Sequence, residues 1–231
     1  MIVSHRHRFI FLKTRKTAGT SIELFLFPLC GEEDIVTPLT RTELTRRVGH
    51  RARNHIRKAF PLDPRPALHR VWPLEGWKAI DCHDHIRAAA VRRYVGEEVW
   101  RSYYKFAFER NVYDRQVSWY HYRTQARWKR WLWPDFPSFL ARFPGARMDN
   151  YEIYTIGGEL AVDFVGRYEH LAEDLAKVMG VLGLPMTGEL PRAKADIRPE
   201  AGSYRDYYDD ASRRLVESWY PGEIALFGHR F

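Results

Sequence analysis

Short runs of apolar residues along the chain predict the strands of a sheet. Phe9–Leu12 is wholly apolar, as expected of a strand that is buried on both faces of a parallel sheet. Residues 103–109 alternate and are rich in aromatic side chains, which also indicates a strand. Residues 162–168 form a third segment of this kind. These strands lie between stretches of helical spacing, so we expect an α/β protein.

Helical spacing follows the predicted strands. Residues 22–27 are apolar enough to form a buried helix, and Thr20 or Ser21 is placed to cap its N-terminus. Residues 86–95 carry apolar positions at the spacing of one helical face. Two further helices are predicted over residues 169–182 and 207–219.

The length of 231 residues indicates one domain, 1–231, which is large enough to bury a full core. Residues 31–80 are basic and rich in proline, and form either a solvated insertion or a basic arm that grips a substrate. No apolar run approaches the roughly 18 residues of a membrane helix, and none near the N-terminus is long enough for a signal peptide. Cys30 and Cys82 are far apart, so neither a disulfide framework nor a zinc site is indicated. We expect a cytoplasmic protein without a membrane span.

The charge of the chain indicates an anionic partner. It has 37 Lys and Arg residues against 29 Asp and Glu residues, a formal net charge of +8. An excess of this size is typical of proteins that bind nucleic acid, an anionic surface or an anionic small ligand. Charge alone does not choose between these three.

A loop of small and cationic residues, 13–21, joins the first strand to the first helix. A strand, a small-residue loop and a helix N-terminus together present backbone N–H groups and the positive end of a helix dipole to an anion. Lys16 adds a full charge, and residues 18–21 leave room for the ligand and add hydroxyl donors. In the P-loop of ATP and GTP enzymes the lysine follows the last glycine, whereas here Lys16 precedes Gly19.

The segment Lys16-Thr17-Ala18-Gly19-Thr20-Ser21 resembles the 5′-phosphosulfate-binding loop of sulfotransferases, which use 3′-phosphoadenosine-5′-phosphosulfate (PAPS). Residues 110–118, Arg-Asn-Val-Tyr-Asp-Arg-Gln-Val-Ser, resemble the second signature of that family, which binds the 3′-phosphate. Val112 stands where the family usually has proline, so we expect looser geometry there but not a loss of binding. Two motifs in this order, each after a predicted strand, make the resemblance specific, and it spans nearly the whole chain except residues 31–80.

The resemblance implies a three-layer α/β/α fold whose central parallel sheet is of the P-loop-kinase type. It also implies PAPS as the sulfuryl donor and no metal, because a sulfuryl group carries less negative charge than the γ-phosphoryl group for which kinases use Mg²⁺. Lys16 would stabilise charge on the oxygen that links phosphate to sulfur, and Arg110 suits a phosphate because its planar fork makes two charge-assisted bonds. The implied nucleotide-binding residues are Arg15, Lys16, Thr17, Ala18, Gly19, Thr20, Ser21, Arg110, Ser118, Arg198 and Arg205.

Two histidines, His83 and His85, lie at the start of the helix predicted over 86–95. They are either partly exposed polar residues, or a His-x-His metal site that lacks recognised further ligands, or a general base. Imidazole titrates near pH 6.5 and accepts a hydroxyl proton at neutral pH. Heparan 2-O-sulfotransferase-like enzymes have a comparable His-x-His before their 3′-phosphate arginine. By this resemblance His85 is the expected base, with His83 as an auxiliary or a substitute.

Aromatic and basic side chains are interleaved over residues 119–136. Such a face either stacks sugar rings or nucleobases while it pairs with acid groups, or forms a core-facing aromatic stripe with a solvated basic side. The candidate acceptor-binding residues are Trp119, Tyr122, Arg123, Arg127 and Trp128.

These patterns lead us to expect a sulfotransferase that moves the sulfuryl group of PAPS to an acceptor hydroxyl by in-line displacement. The resemblance favours a carbohydrate or glycoconjugate acceptor, and the basic charge is compatible with one that already carries acid groups. The alternatives are a nucleotide or sugar kinase-like phosphotransferase, whose Gly-Lys-Ser/Thr order is missing, and a basic aromatic nucleic-acid-binding module. The second alternative has no use for two separate phosphate sites, so nucleic acid is not an expected partner.

Overall fold

The computed structural model describes residues 1–39, 42–55, 82–125, 131–143, 146–186, 188, 190–191 and 202–231. In these ranges the strands are β1 (Ile2–Ser4), β2 (Phe9–Leu12), β3 (Ile35–Val36), β4 (Tyr104–Glu109), β5 (Thr155–Ile156), β6 (Glu159–Leu160) and β7 (Phe164–Arg167). Five of them form a central sheet in the order β3-β1-β2-β4-β7, and β5 and β6 form a separate antiparallel pair.

The helices of the described ranges are α1 (Gly19–Leu26), α2 (Glu43–Arg47), α3 (Ala88–Val95), α4 (Glu97–Ser102), α5 (Val112–Arg123), α6 (Phe136–Arg142), α7 (Tyr151–Tyr154), α8 (Leu171–Val181), α9 (Asp210–Trp219) and α10 (Pro221–Phe227). Short 3₁₀ helices cover Phe27–Leu29, Tyr168–His170 and Tyr204–Tyr207. None of the described helices combines the length and the apolar character needed to cross a membrane.

The strand directions bring three chain segments to one edge of the sheet. β2, β4 and β7 are mutually parallel, with Phe11 opposite Phe106. β1 is antiparallel to both of its neighbours, so β3 runs in the same direction as β2 and the sheet is mostly parallel. Because parallel strands end at the same edge, the residues that follow them start there together, namely Lys13, Arg110 and Tyr168.

Helices cover both faces of the sheet. In β2, Ile10 and Leu12 pack in a core with α3, α4 and α7, whereas Phe9 and Phe11 pack in a second core with α1 and α8. Successive side chains of a strand point to opposite faces, so an apolar residue is needed at every position of β2. The prediction of an α/β protein with a central sheet is confirmed, but the sheet is mostly parallel rather than wholly parallel, because β1 is antiparallel to its neighbours.

A third cluster of buried side chains holds α5 in place. Val112, Val117 and Tyr120 of α5 pack with residues of α6 and with Val216 of α9. Since α5 begins directly after β4, this packing fixes a helix beside the edge where the parallel strands end.

Several element boundaries differ from the sequence-based predictions, three of them by two residues or for a clear structural reason. The strand predicted over 162–168 ends at Arg167, because the chain turns into a 3₁₀ helix there. The helix predicted over 207–219 begins only at Asp210, because Asp209 caps it by accepting a hydrogen bond from the backbone N–H of Ser212 at 2.7 Å. The helix predicted over 86–95 begins at Ala88.

Two strands of the sheet, β1 and β3, were not predicted. They are three and two residues long, too short for an alternating pattern to identify them. β3 comes from the predicted insertion 31–80, so part of that segment forms an edge of the sheet. Residues 40–41 and 56–81, which hold much of the basic and proline-rich sequence, lie outside the described ranges.

Candidate functional site

The loop between β2 and α1 contains two unusual backbone conformations. Lys16 has φ +62° and Ala18 has φ +59°, in the left-handed region that residues other than glycine rarely adopt. Ala18 is the N-cap residue of α1, and no side chain makes a capping hydrogen bond there. The prediction that Thr20 or Ser21 caps the helix is wrong, because both lie within its first turn. Without a side-chain cap, this turn offers its N–H groups to an external acceptor.

Lys13 lies beneath this loop as a buried cation. Its Nζ is 2.8 Å from Oε2 of Glu23 in α1 and 2.9 Å from Oδ2 of Asp84. Gly19 makes room for this side chain, because a Cβ at residue 19 would lie only 2.6 Å from Cγ of Lys13. Sequence reasoning did not single out Lys13. Its position directly after an apolar strand was the one signal that pointed to it.

Neighbouring segments hold the loop from two sides. The hydroxyl of Thr14 donates to the carbonyl oxygen of Phe108 in β4 and lies 2.7 Å from Oγ1 of Thr17. The side chain of Asn150 accepts from the N–H of Arg15 at 2.9 Å and donates to its carbonyl oxygen at 3.1 Å. Thr17 is buried, so its hydroxyl holds the loop, and a ligand would meet the loop through other groups.

Arg110 lies against this loop at the end of β4. Its Nη1 donates to the carbonyl oxygen of Lys16 at 3.4 Å, and its Nε and Nη2 lie 2.7 and 2.6 Å from Oδ2 of Asp114. The guanidinium also stacks over the ring of Tyr168, 4.0 Å from its centroid. The side chain is 9% exposed, so these contacts hold the guanidinium in one orientation at the edge of the sheet.

The start of α5 is a capped helix N-terminus with valine at its first position. Asn111 is its N-cap residue, with Oδ1 accepting from the N–H of Tyr113 at 3.0 Å. Val112 takes the first helical position, which proline favours because no N–H partner is needed there, and its side chain is fully buried. Ser118 is partly buried and lies one turn beyond Asp114, on the same side of the helix.

His85 is hydrogen-bonded to the start of the loop. Its Nδ1 lies 2.9 Å from the carbonyl oxygen of Lys13, and since a carbonyl only accepts, Nδ1 carries the proton and Nε2 carries the lone pair. Burial lowers the pKa of His85 to about 4. The imidazole is therefore neutral at pH 7. His83 is exposed, and no hydrogen bond joins its ring to a described residue of the loop.

Aromatic rings of α5 extend the site on the side of Lys16. The Nζ of Lys16 lies 4.5 Å above the ring centroid of Tyr122, which stacks on Trp119 with centroids 5.6 Å apart. The guanidinium of Arg123 covers Trp119 at 5.4 Å. Trp119 is only partly buried and Tyr122 is 39% exposed, so this stack borders the solvent next to the loop. Arg127 and Trp128 lie outside the described residues.

Of the two basic residues predicted near the C-terminus, Arg198 and Arg205, the structure describes only Arg205. The guanidinium of Arg205 lies over the rings of Tyr204 and Phe231, at 4.8 and 5.9 Å, and makes no contact with the loop of residues 13–18. Its neighbour Tyr204 and the α5 cap Asn111 both donate to the carbonyl oxygen of Arg230, so the segment that carries Arg205 meets the start of α5. Arg198 lies outside the described residues.

A buried ionic network, absent from the sequence analysis, supports the second motif. Oε1 of Glu109 accepts from the N–H of Arg110 at 2.9 Å and from Nη1 of Arg115 at 2.6 Å. Arg115 is fully buried and also lies 3.2 Å from Oε1 of Glu223 in α10. Arg115 sits inside the second motif, but nothing in the pattern distinguishes a buried arginine from a ligand-binding one.

The structure thus brings together most of the candidate residues that it describes. Lys16 contacts both Arg110 and Tyr122, and His85 is hydrogen-bonded to Lys13 at the start of the same loop. Arg205 stays apart from them. Within the described ranges, no three or more His, Cys, Asp or Glu side chains are grouped as they are in a metal site.

Fold and site together define an α/β protein with a basic loop and an arginine at the end of neighbouring parallel strands. The chain is 34% identical over 98 residues to an uncharacterized protein of Archaeoglobus fulgidus, an alignment that covers 41% of this chain and 80% of the archaeal protein. The chain therefore belongs to the same family as that protein. No family model matches the chain, and no solved structure matches it.

Proposed function

We propose that the protein is a sulfotransferase that moves the sulfuryl group of PAPS to a hydroxyl group of an acceptor. The observation that carries this proposal is the 3.4 Å contact between Nη1 of Arg110 and the carbonyl oxygen of Lys16. A nucleotide with phosphate groups at both its 3′ and its 5′ carbon needs two neighbouring cationic sites, and the two basic motifs are neighbours at one edge of the sheet. A single-stranded nucleic acid would instead be expected to follow an extended groove.

The residues present fit such a nucleotide at two points. The uncapped first turn of α1, with Lys16 beside it, suits the 5′-phosphosulfate. One N–H group of Arg110 faces the carbonyl oxygen of Lys16 and two face the carboxylate of Asp114. A guanidinium has five N–H groups, so two remain for the 3′-phosphate. Ser118 adds a hydroxyl on the same side of α5 as Asp114.

Two side chains of the protein would carry the chemistry. PAPS supplies the activated sulfuryl group when it is bound. The neutral imidazole of His85 keeps its Nδ1–H on the carbonyl of Lys13 and takes the proton of the acceptor hydroxyl on Nε2. The ammonium of Lys16 stabilises the negative charge that grows on the leaving phosphate oxygen.

The aromatic stack on α5 is the proposed acceptor surface. Tyr122 and Trp119 border the solvent beside Lys16, and a sugar ring can pack its apolar face on such rings. Arg123 above Trp119 adds a charge that suits an acceptor carrying acid groups. A carbohydrate or glycoconjugate hydroxyl is therefore the proposed acceptor.

Thermal shift with three ligands tests the proposal. Adenosine 3′,5′-bisphosphate at about 100 times its Kd should stabilise the fold by about 2.7 kcal/mol, a shift of several degrees in Tm. ATP and single-stranded DNA at the same concentration should have little effect. A larger shift with ATP would favour the phosphotransferase, and a larger shift with DNA would favour the nucleic-acid-binding module.

Transfer of labelled sulfate from PAPS to a panel of carbohydrate acceptors measures the activity itself. We expect it to persist in EDTA, because the residues named above supply the positive charge. His85→Ala should lower turnover about a hundredfold or more and leave the affinity for adenosine 3′,5′-bisphosphate unchanged. If His83→Ala has this effect and His85→Ala does not, His83 is the base.

A further inference from the structure

His85 and Lys13 are connected twice. Nδ1 of His85 donates to the carbonyl oxygen of Lys13 at 2.9 Å, and Nζ of Lys13 donates to Oδ2 of Asp84 at 2.9 Å. Asp84 precedes His85 in sequence, so the two hydrogen bonds and the peptide bond between Asp84 and His85 form a closed ring of contacts with Lys13. The second oxygen of Asp84 accepts from Oγ1 of Thr37 at 2.8 Å, which ties the carboxylate to the chain beyond β3.

We propose that Lys13 and Asp84 are positioning residues that set the ring orientation and the tautomer of His85. That this orientation serves catalysis rests on the proposed function, whereas the orientation of the His85 ring by Lys13 and Asp84 does not. The ion pair fixes the backbone at Asp84–His85 against the start of the loop, so that the carbonyl of Lys13 always meets Nδ1. The lone pair is then always on Nε2.

Burial makes this connection strong. The side chain of Lys13 is 4% exposed and bridges Asp84 to Glu23, whose side chain is fully buried. Removing one partner from such a group leaves a charge without compensation in a low dielectric, which is costly. Burial raises the pKa of Asp84, but the charges of Lys13 and of the Met1 ammonium and the hydrogen bonds from Lys13 and Thr37 together outweigh this and lower the pKa below its usual range. The carboxylate of Asp84 therefore stays ionised across the neutral pH range.

A positioning role and a purely electrostatic role predict opposite shifts in the pKa of His85. The charged groups that face its ring are Lys13, Arg15 and Asp84. If Asp84 acts only through its charge, removing that charge lowers the pKa of His85 further. If Asp84 holds the imidazole in its buried place, the loss releases the ring to water, and the pKa rises toward its ordinary value near 6.5.

NMR of ¹⁵N-histidine-labelled protein measures both the tautomer and the pKa of His85 without any substrate. In the unaltered chain we expect the Nδ1–H tautomer and a low pKa. In Asp84→Asn we expect a mixture of tautomers and a pKa that is higher by one unit or more. An unchanged tautomer with an unchanged or lower pKa overturns the proposal.

The matched control is Asp163→Asn. Asp163 also pairs with a buried lysine, Lys105, at 2.8 Å, but near the start of β4, at the end of that strand opposite to the loop. This variant should leave the tautomer and the pKa of His85 unchanged. If Asp84→Asn does not fold, the double variant Lys13→Met/Glu23→Gln neutralises the buried lysine and its second partner together, and a mixed tautomer is again expected. A pure Nδ1–H tautomer in that variant refutes the role of Lys13.

Sulfuryl transfer distinguishes the failure of this inference from the failure of the proposed function. If the chain is a sulfotransferase, Asp84→Asn should lower kcat about tenfold or more with little change in the KM for PAPS, and should move the pH profile of kcat. A chain without transferase activity, but with the tautomer change, keeps the positioning role and loses the proposed function. If the unaltered chain is active and the Asp84→Asn variant is equally active, the proposed function is kept and the positioning role is lost.

Discussion

Nη1 of Arg110 lies 3.4 Å from the carbonyl oxygen of Lys16, although 94 residues separate the two in sequence. The contact follows from the sheet, because β2 and β4 are adjacent and parallel, with Leu12 opposite Ala107. The segments that follow β2 and β4 leave the sheet a few residues later at the same edge. The two motifs therefore form one surface, whichever ligand binds there.

Replacing Arg110 with lysine tests the geometry of this surface. Lysine keeps the charge but loses the planar fork and the stacking on Tyr168. We expect the Kd for adenosine 3′,5′-bisphosphate, measured by calorimetry, to rise about ten- to a hundredfold, and more in Arg110→Ala. Arg92→Lys is the control, because Arg92 is an exposed arginine on α3 that pairs with Glu97. Unchanged binding in both Arg110 variants would remove this residue from the site.

The position of each basic motif at the end of a strand could be predicted from the sequence, since each follows a recognisable apolar segment. Phe9–Leu12 matches β2 residue for residue, and β4 begins one residue later than predicted. The adjacency of the two motifs could not be worked out from the residues themselves, because strand order depends on packing between distant segments. Lys13 could not be found either, since its partners Glu23 and Asp84 come from other elements of the chain.

The substitutions Gly19→Ala and Ala18→Gly should change the stability of the fold in opposite directions. In Gly19→Ala the new methyl group meets Cγ of Lys13 at 2.6 Å, and overpacking of this kind costs about 1–3 kcal/mol. In Ala18→Gly the left-handed φ of +59° becomes unstrained. We expect a Tm lower by several degrees for the first variant and an equal or higher Tm for the second, by calorimetry. A stable Gly19→Ala protein would contradict the packing described for Lys13.

The helix start at Ala18 shows why the cap was predicted wrongly. Thr20 and Ser21 are common cap residues, and the apolar run that begins at Ile22 placed the helix start after them. The structure begins α1 at Gly19, because the chain turns through left-handed conformations at Lys16 and Ala18. Such conformations are not expected from a lysine and an alanine, so the residue types did not indicate them.

Arg115→Met should destabilise the protein strongly. The fully buried guanidinium of Arg115 pairs with Glu109 and Glu223, and methionine would leave two buried carboxylates without their partner. Breaking a buried pair in this way costs about 3–5 kcal/mol. Urea unfolding measures the change, and Arg87→Met, which removes an exposed pair with Glu152, should leave the midpoint unchanged. A triple variant that also replaces both glutamates with glutamine should recover part of the loss, because no buried charge is left unpaired.

Partly buried histidines, His85 and His229 among them, should make the free energy of unfolding depend on pH between about 6.5 and 4. Burial lowers the pKa of both His85 and His229 to about 4, whereas in the unfolded chain the pKa of histidine is near 6.5. Above pH 6.5 both states are neutral, so these residues cause no pH dependence. As the pH falls below 6.5 the unfolded chain binds protons that the folded chain does not, and stability is lost until the folded groups titrate near pH 4.

Urea unfolding at several pH values measures this slope. Each of the two histidines contributes up to about 1.4 kcal/mol per pH unit to the slope. His229→Gln should therefore reduce the slope between about pH 6 and 4.5. The control variant His83→Gln changes an exposed residue and should leave the slope unchanged. Carboxylates with lowered pKa values, Asp84 and Asp174 among them, add their own loss mainly below about pH 5, so they overlap only the lower end of this window. A slope in His229→Gln equal to that of the unaltered chain would mean that His229 is as accessible to protons in the folded state as in the unfolded one.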